Sequence, residues 1–162
     1  MQKTVKEVSE EQALGKLQAL CSRSEHCSFD MRRKMLQWGL GEDVQQRILE
    51  QLKRGRYVDD ERYALAFVHD KVNYSKWGRR KVDQALMMRH IGEDIRRKAL
   101  ESIEEESYAD TLLPLLRSKM KSIKAKSDYD MYCRLIRFGV GRGYEIEEIK
   151  ECLQKLTDGN FD

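Results

Sequence analysis

The sequence has one proline and ten glycines in 162 residues. A turn-rich β sandwich or barrel needs far more chain reversals, so long helices with brief breaks are expected instead. Cysteine is sparse as well: Cys21, Cys27, Cys133 and Cys152 include no C-x-x-C pair. Cys21, His26 and Cys27 match no common zinc spacing, so no metal site is expected, and the thiols read as reduced and mostly packed. The three histidines, His26, His69 and His90, are scattered. No phosphate-cradling glycine loop is present. Gly139, Gly141 and Gly143 form G-x-G-x-G, but they end one helix and begin another, which suits a joint. No nucleophile stands in a recognisable catalytic setting. The expectations are no enzyme, no cofactor and no small-molecule substrate. No apolar run reaches membrane-spanning length, and the N-terminal MQKTVKEVSEEQALGKL is too charged for a signal peptide, so a cytoplasmic protein without membrane contact is expected.

Strong charge of one sign is also lacking. Thirty-one basic residues face 28 acidic ones, a net +3. Residues 1–58 carry +3, 59–107 carry −1 and 108–162 carry +1. No part is a basic tail, and binding driven by phosphate contacts alone would be moderate and salt-sensitive.

What the chain does have is helical periodicity. Residues 1 to about 8 read as a lead-in. Ser9 and Gln12 then resemble a capping box before Ala13, Leu17 and Leu20. A second helix is expected over about 28–38 on Met31, Met35 and Trp38, and a third over 42–54 on Val44, Ile48 and Leu52. Asp59 and Asp60 are placed to cap a fourth, with Ala64, Val68 and Val72 on one line and Tyr63, Phe67 and Tyr74 beside it. A fifth begins at Arg79 and buries Val82 and Leu86, with Arg89 contributing only its stem. A sixth, about 93–105, would put Glu104, Glu105 and Glu106 at its unfavourable negative end. The seventh, about 108–123, contains Pro114 and should kink there or start after Asp110. The last two are expected over about 128–138 and 145–156.

The nine helices are all-α and fall into three groups. LQWGLGEDVQQRIL sets against LMMRHIGEDIRRKAL, and LIRFGVGRGYEIEEIKECL follows more loosely. Anchoring on Gly39, His90 and Gly143 gives offsets of 51 and 53 residues. That period describes three tandem three-helix repeats, over 1–56, 57–106 and 107–162, each burying a face on the next.

Three basic triplets stand out as candidates for a binding surface. Arg79, Arg80 and Lys81 lie beside Trp77 and Tyr74, a mixture of cations and aromatics suited to nucleic acid. Arg32, Arg33 and Lys34 read as the same place in the first repeat, and Arg96, Arg97 and Lys98 form the third. Consecutive helical residues fan over about 200°, so they cannot all face one ligand. Arg80 and Lys81 are the leading candidates, Arg79 follows, Arg32 and Arg33 extend the track, and Arg89 and Arg97 are weaker. The lysines from Lys119 to Lys126 are the alternative.

DDERYALAFV followed by GRRKVDQAL resembles the central signature of the RecX regulatory proteins, and RSEHCSFDMRRKMLQWGL and RFGVGRGYEIEEIKECL resemble the outer repeats. Asp59, Asp60, Glu61, Tyr63, Ala64, Gly78, Arg80 and Leu86 match that signature, and most of them look like fold determinants. His90 departs from it, standing where the family usually has glycine, and Gly139-Val140 replaces a larger apolar pair. The resemblance implies an elongated, curved array. It also implies a non-enzymatic modulator of RecA, usually an inhibitor, that acts on the RecA filament in DNA repair, recombination and the SOS response. Single-stranded DNA would be met directly or through RecA. A nucleic-acid-binding protein or a protein scaffold acting without RecA are the other readings.

Overall fold

The computed structural model describes residues 7–158, so most of the lead-in at residues 1–8 lies outside the described residues. Nine helices and no strand occur among the described residues: α1 (Glu10–Arg23), α2 (Ser28–Gln37), α3 (Glu42–Arg54), α4 (Asp60–Asn73), α5 (Arg79–Met88), α6 (Glu93–Glu101), α7 (Glu105–Ser122), α8 (Asp128–Gly141) and α9 (Ile146–Asp158). At the start of α1 the capping box is formed: Ser9 Oγ accepts from the Gln12 amide, and Gln12 Oε1 accepts from the Ser9 amide.

Each trio of helices closes around its own apolar core. Ala13, Leu17, Met31, Met35, Ile48, Leu49 and Leu52 fill the first. Ala64, Val68, Val72, Val82, Leu86 and Ala99 fill the second, which also receives Cys27 from the trio before and Tyr108 from the trio after. Leu112, Leu116, Leu135, Tyr144, Ile149 and Leu153 fill the third. Buried among apolar neighbours, the Cys27 thiol is pushed up to about 12.

The three anchors of the repeat share one backbone device. Gly39, His90 and Gly143 all have positive φ, at 74°, 56° and 98°. Each stands just past the second helix of its trio. The next residue's amide reaches back to a carbonyl five residues earlier: Leu40 to Met35 (3.1 Å), Ile91 to Leu86 (3.2 Å) and Tyr144 to Gly139 (3.1 Å). This is the left-handed helix stop with its long return bond. A histidine can occupy this conformation, at a cost of about 1 kcal/mol relative to glycine. His90 also stacks on Phe29 of the first trio, with centroids 4.6 Å apart. A further equivalence follows the stop: Gln45 Nε2 donates to the Leu40 carbonyl and Arg96 Nη1 to the Ile91 carbonyl, both at 2.7 Å.

The structure corrects several expectations. Helix α6 ends at Glu101, because the chain turns at Ser102 and Ile103. The acidic run therefore opens α7, with Glu104 as its N-cap and Glu105 and Glu106 in the first turn, where negative charge is favourable. Pro114 lies inside α7, and the helix begins before Asp110 rather than after it. Asp59 caps α4 by accepting from the Arg62 amide. Asp60 instead crosses to the first trio, where its Oδ1 accepts from the Ser28 amide at 2.8 Å and so caps α2. Tyr74 lies off the buried line and is 82% exposed.

The second and third trios meet backbone to backbone. The Gly78 amide donates to the Arg142 carbonyl (2.8 Å) and the Arg80 amide to the Gly143 carbonyl (3.0 Å). The Tyr144 hydroxyl donates to the Lys76 carbonyl at 3.1 Å. A Cβ on Gly78 would run into the Gly143 carbonyl and come within 2.6 Å of the Tyr144 amide nitrogen. Its φ of −82° is ordinary, so Gly78 is needed for space, whereas Gly143 is needed for both space and conformation. Gly78→Val should lower the unfolding free energy by about 2 kcal/mol or more, as overpacking against rigid backbone does. Gly92→Ala, where a Cβ meets nothing within 4 Å, should stay within about 0.5 kcal/mol. Denaturant unfolding separates the two.

Pro114 deprives α7 of one internal hydrogen bond, at an exposed position. Pro114→Ala should raise stability by about 1–3 kcal/mol, seen as a higher denaturant midpoint at unchanged slope.

Candidate partner-docking groove

Helix α5 starts with three cations where the helix dipole disfavours them. The joint offsets this cost. Two of the free amides at the helix start are satisfied by the carbonyls of Arg142 and Gly143, and no side chain caps the helix. Carboxylates from the third trio approach the side chains: Glu105 lies 3.4 Å from Arg79, and Glu145 lies 3.5 Å from Arg80. The Arg79 guanidinium rests on the Tyr108 ring, 4.3 Å from its centroid. Burial pushes the Tyr108 phenol up, and the Arg79 charge opposes that shift. The Lys81 ammonium lies over Trp77 at 4.5 Å, and Lys71 lies 5.0 Å from the same ring. Of the triplet, Arg80 remains the most open, its side chain 67% exposed.

Arg80 and Lys81 border a groove of about 510 Å³ between α5 and the end of α8, whose floor includes Met87, Val140 and Gly141. Met87 is 52% and Val140 43% exposed. They occupy the same repeat position, 53 residues apart, and 51 residues before Met87 stands Leu36, 69% exposed. Every trio thus presents one large apolar side chain three residues before its left-handed stop. Folding does not require this, because the core lines are filled by other residues.

The remaining candidates are placed apart. Arg33 lines a separate cleft with His26, Asp30 and Lys34, and its guanidinium lies 5.7 Å from the centre of the Phe29 ring. Arg32 donates to Gln46 at 3.3 Å. Arg89 folds back onto the Ala85 carbonyl and over Phe67. Arg97 pairs with Asp94 and lines a third cleft with Arg79 and Arg96. Arg96 is bound to Asp83 at 2.8 Å. The proposed correspondence of triplets fails on register. With helix starts aligned at the 51-residue offset, Arg79 to Lys81 correspond to Ser28 to Asp30, whereas Arg32 and Arg33 correspond to Asp83 and Gln84. Met87 and Val140 escaped the sequence reading, although the same offset applied to non-core positions would have found them. No group of three or more potential metal ligands occurs among the described residues. Nor is any described helix long and apolar enough to cross a membrane.

Comparison with known proteins bears on this architecture directly. Residues 59–100 match the family described as RecX, second three-helix domain. A regulatory protein RecX from Clostridium perfringens (strain 13 / Type A) is 29% identical over 134 residues, covering 82% of this chain. The chain is thus similar to RecX proteins along most of its length, and its second trio matches their second three-helix domain. A RecX from Bacillus mycoides (strain KBAB4) is 25% identical over 143 residues, covering 85% of this chain and 53% of its own length. The chain spans 62% of the Clostridium relative. Two solved RecX structures superpose with a TM-score of 0.82 at 18% and 16% identity. The first covers 90% of this chain and 71% of its own. The second, from Lactobacillus salivarius, covers 91% and 96%. At that identity they establish the fold, an all-α array of three-helix repeats.

The groove's floor is separable from the core. Met87→Ser should change stability by less than about 0.5 kcal/mol, whereas its buried neighbour Leu86→Ala should cost about 2–5 kcal/mol. Equal losses in thermal or denaturant unfolding would place Met87 in the core.

Proposed function

We propose that this protein regulates RecA: it docks along the RecA filament on single-stranded DNA, chiefly through the α5–α8 groove, and lowers recombinase, ATPase and coprotease activity in DNA repair and the SOS response. The units would be residues 1–56, 57–106 and 107–162, in a cytoplasmic, non-enzymatic protein. The likeness to proteins named regulatory protein RecX supports the partner. The observation that carries the docking is the large apolar side chain exposed at one repeat position, Leu36, Met87 and Val140, the last two in a groove bordered by the exposed Arg80 and the half-buried Lys81. A partner built of identical protomers offers the same patch repeatedly, and a tandem array can meet more than one copy. Arg80 and Lys81 would steer the approach and Met87 and Val140 would supply the apolar contact.

A second reading, direct binding to single-stranded nucleic acid, draws on Tyr74, which is exposed beside Trp77 and its two lysines. Salt separates the readings, because phosphate-driven binding weakens steeply and linearly on a log–log scale.

Filament ATP hydrolysis on single-stranded DNA is the test. Because Arg80 faces Glu145, a charge reversal would repel across the joint, so neutral substitutions are needed. Arg80→Gln with Lys81→Gln and Met87→Ser should raise the concentration for half-inhibition about tenfold or more, a loss of about 1.4 kcal/mol in binding, with melting unchanged. Full inhibition by the triple variant at the original concentration would move the site elsewhere, and no effect of the unaltered protein on RecA would remove the reading.

A further inference from the structure

The two joints of the array differ in what holds them closed. At the second, the amides of Gly78 and Arg80 are held by the carbonyls of Arg142 and Gly143, and α4 packs against α7. Parting it would strand backbone donors at a helix start and uncover the Tyr108 ring, which is buried. At the first joint, no helix of the first trio packs to that extent on one of the second among the described residues. Its contacts come from side chains. Arg62 binds Glu25 and the carbonyls of Arg56 and Tyr57, but the ion pair is open to solvent and contributes little. The Ser28 amide donates to Asp60, while the Ser28 hydroxyl is buried with no partner among the described residues. Closing the joint dries that hydroxyl at a cost, and opening relieves it.

A cleft of about 460 Å³ runs beside this joint, with Lys53, Arg56 and Val58 from the end of the first trio and Asp59, Asp60, Glu61 and Ile95 from the second. It leaves the first trio room to move. What enters the second trio is Cys27, fully buried in the second core, with Phe29 packed beside it. Val58 is buried in the first core and Tyr63 in the second, so the chain crosses between them at Asp59 and the first turn of α4. We infer that the first joint is a hinge latched by Cys27: the first trio swings away intact about Asp59, withdrawing Cys27 from the second core, while the second and third trios stay joined as one body. Leu36 then changes its distance from Met87 and Val140, whose own spacing stays fixed. This motion belongs to the free chain and does not depend on the docking reading.

Alkylation by iodoacetamide, read site by site by mass spectrometry, tests the hinge in a full chain with the half-buried Cys21 and Cys133 replaced by serine. In the closed joint the Cys27 thiol, pushed up to about 12 by burial, is unreactive. Cys152, buried in the third core, reports unfolding of the joined body. Without denaturant, Cys27 should react about tenfold or more faster than Cys152, and dilute urea should barely speed it, because parting the joint uncovers little surface. The α3 amides should keep their protection from hydrogen exchange meanwhile, since the trio moves intact. Ser28→Ala, which removes the unpaired hydroxyl, should slow Cys27 about fivefold, and Asp60→Ala, which removes the cap, should speed it about fivefold, both leaving Cys152 unchanged. Ser28→Ala breaks no side-chain hydrogen bond, so the outcome stands even if Asp60→Ala folds poorly. The hinge is overturned if Cys27 reacts no faster than Cys152, if Ser28→Ala does not slow it, or if either variant shifts both thiols equally. Loss of α3 protection at the rate of Cys27 alkylation also overturns it, because the first trio would then unfold rather than swing.

Discussion

The arrangement depends on the contact between two glycines. Gly78 begins α5 and Gly143 ends the turn after α8, and neither leaves room for a side-chain carbon on the other. What the missing Cβ atoms permit is a pair of backbone bonds, both donated by amides at the α5 start to carbonyls of the neighbouring repeat. These amides would otherwise have needed water or a capping side chain. The cost of three cations at a helix start becomes tolerable only in this setting. Glu105 and Glu145 arrive with the same neighbour, and Tyr108 slides under Arg79. One close approach thus fixes the spacing of two repeats, the pairing of their charges and the walls of the groove.

The first joint is built differently. There Asp60 of the second trio caps α2 of the first, Arg62 reaches Glu25 at 2.6 Å, and His90 stacks on Phe29. Side chains make this joint, whereas the second is made by backbone. The difference follows from the residue at the start of each second helix: Cys27 fills that position in the first trio and is buried, and Gly78 fills it in the second. A position with a side chain contributes to a core. A position without one admits a neighbouring chain.

Much of this was legible in the sequence, for reasons that particular residues make plain. The i, i+4, i+8 lines of Ala64, Val68 and Val72 and of the other core helices gave their helices and faces directly, since burial follows a 3.6-residue period. Aligning Gly39, His90 and Gly143 by turn motif alone picked out three residues with positive φ, one of them not a glycine. The failures are non-local. Glu104 to Glu106 look like the end of α6 because Ile103 continues its spacing, and only the turn at Ser102 gives them to α7. Asp60 reads as a cap for its own helix because the helix it does cap is 32 residues earlier in the chain. The triplet of Arg32 to Lys34 was matched to Arg79 to Lys81 by composition, and composition carries no register.

The same distinction explains why the basic triplets pointed only part of the way to a site. A run of three cations fans around a helix, so most of its members must find partners within the protein or lie in water. Arg79 and Lys81 found rings, Arg80 found a carboxylate at partial exposure, and Arg96 in the third triplet was drawn to Asp83. An apolar side chain has no such local satisfaction outside a core. When Leu36, Met87 and Val140 stay exposed at one repeat position, nothing in the packing of their own trios asks for a large apolar residue there. Three ion pairs join one trio to the next, Arg62 with Glu25, Arg79 with Glu105 and Arg80 with Glu145. The exposed apolar positions are what the architecture leaves over, and Arg80, the most open cation of its triplet, gains its meaning from the company of Met87 and Val140.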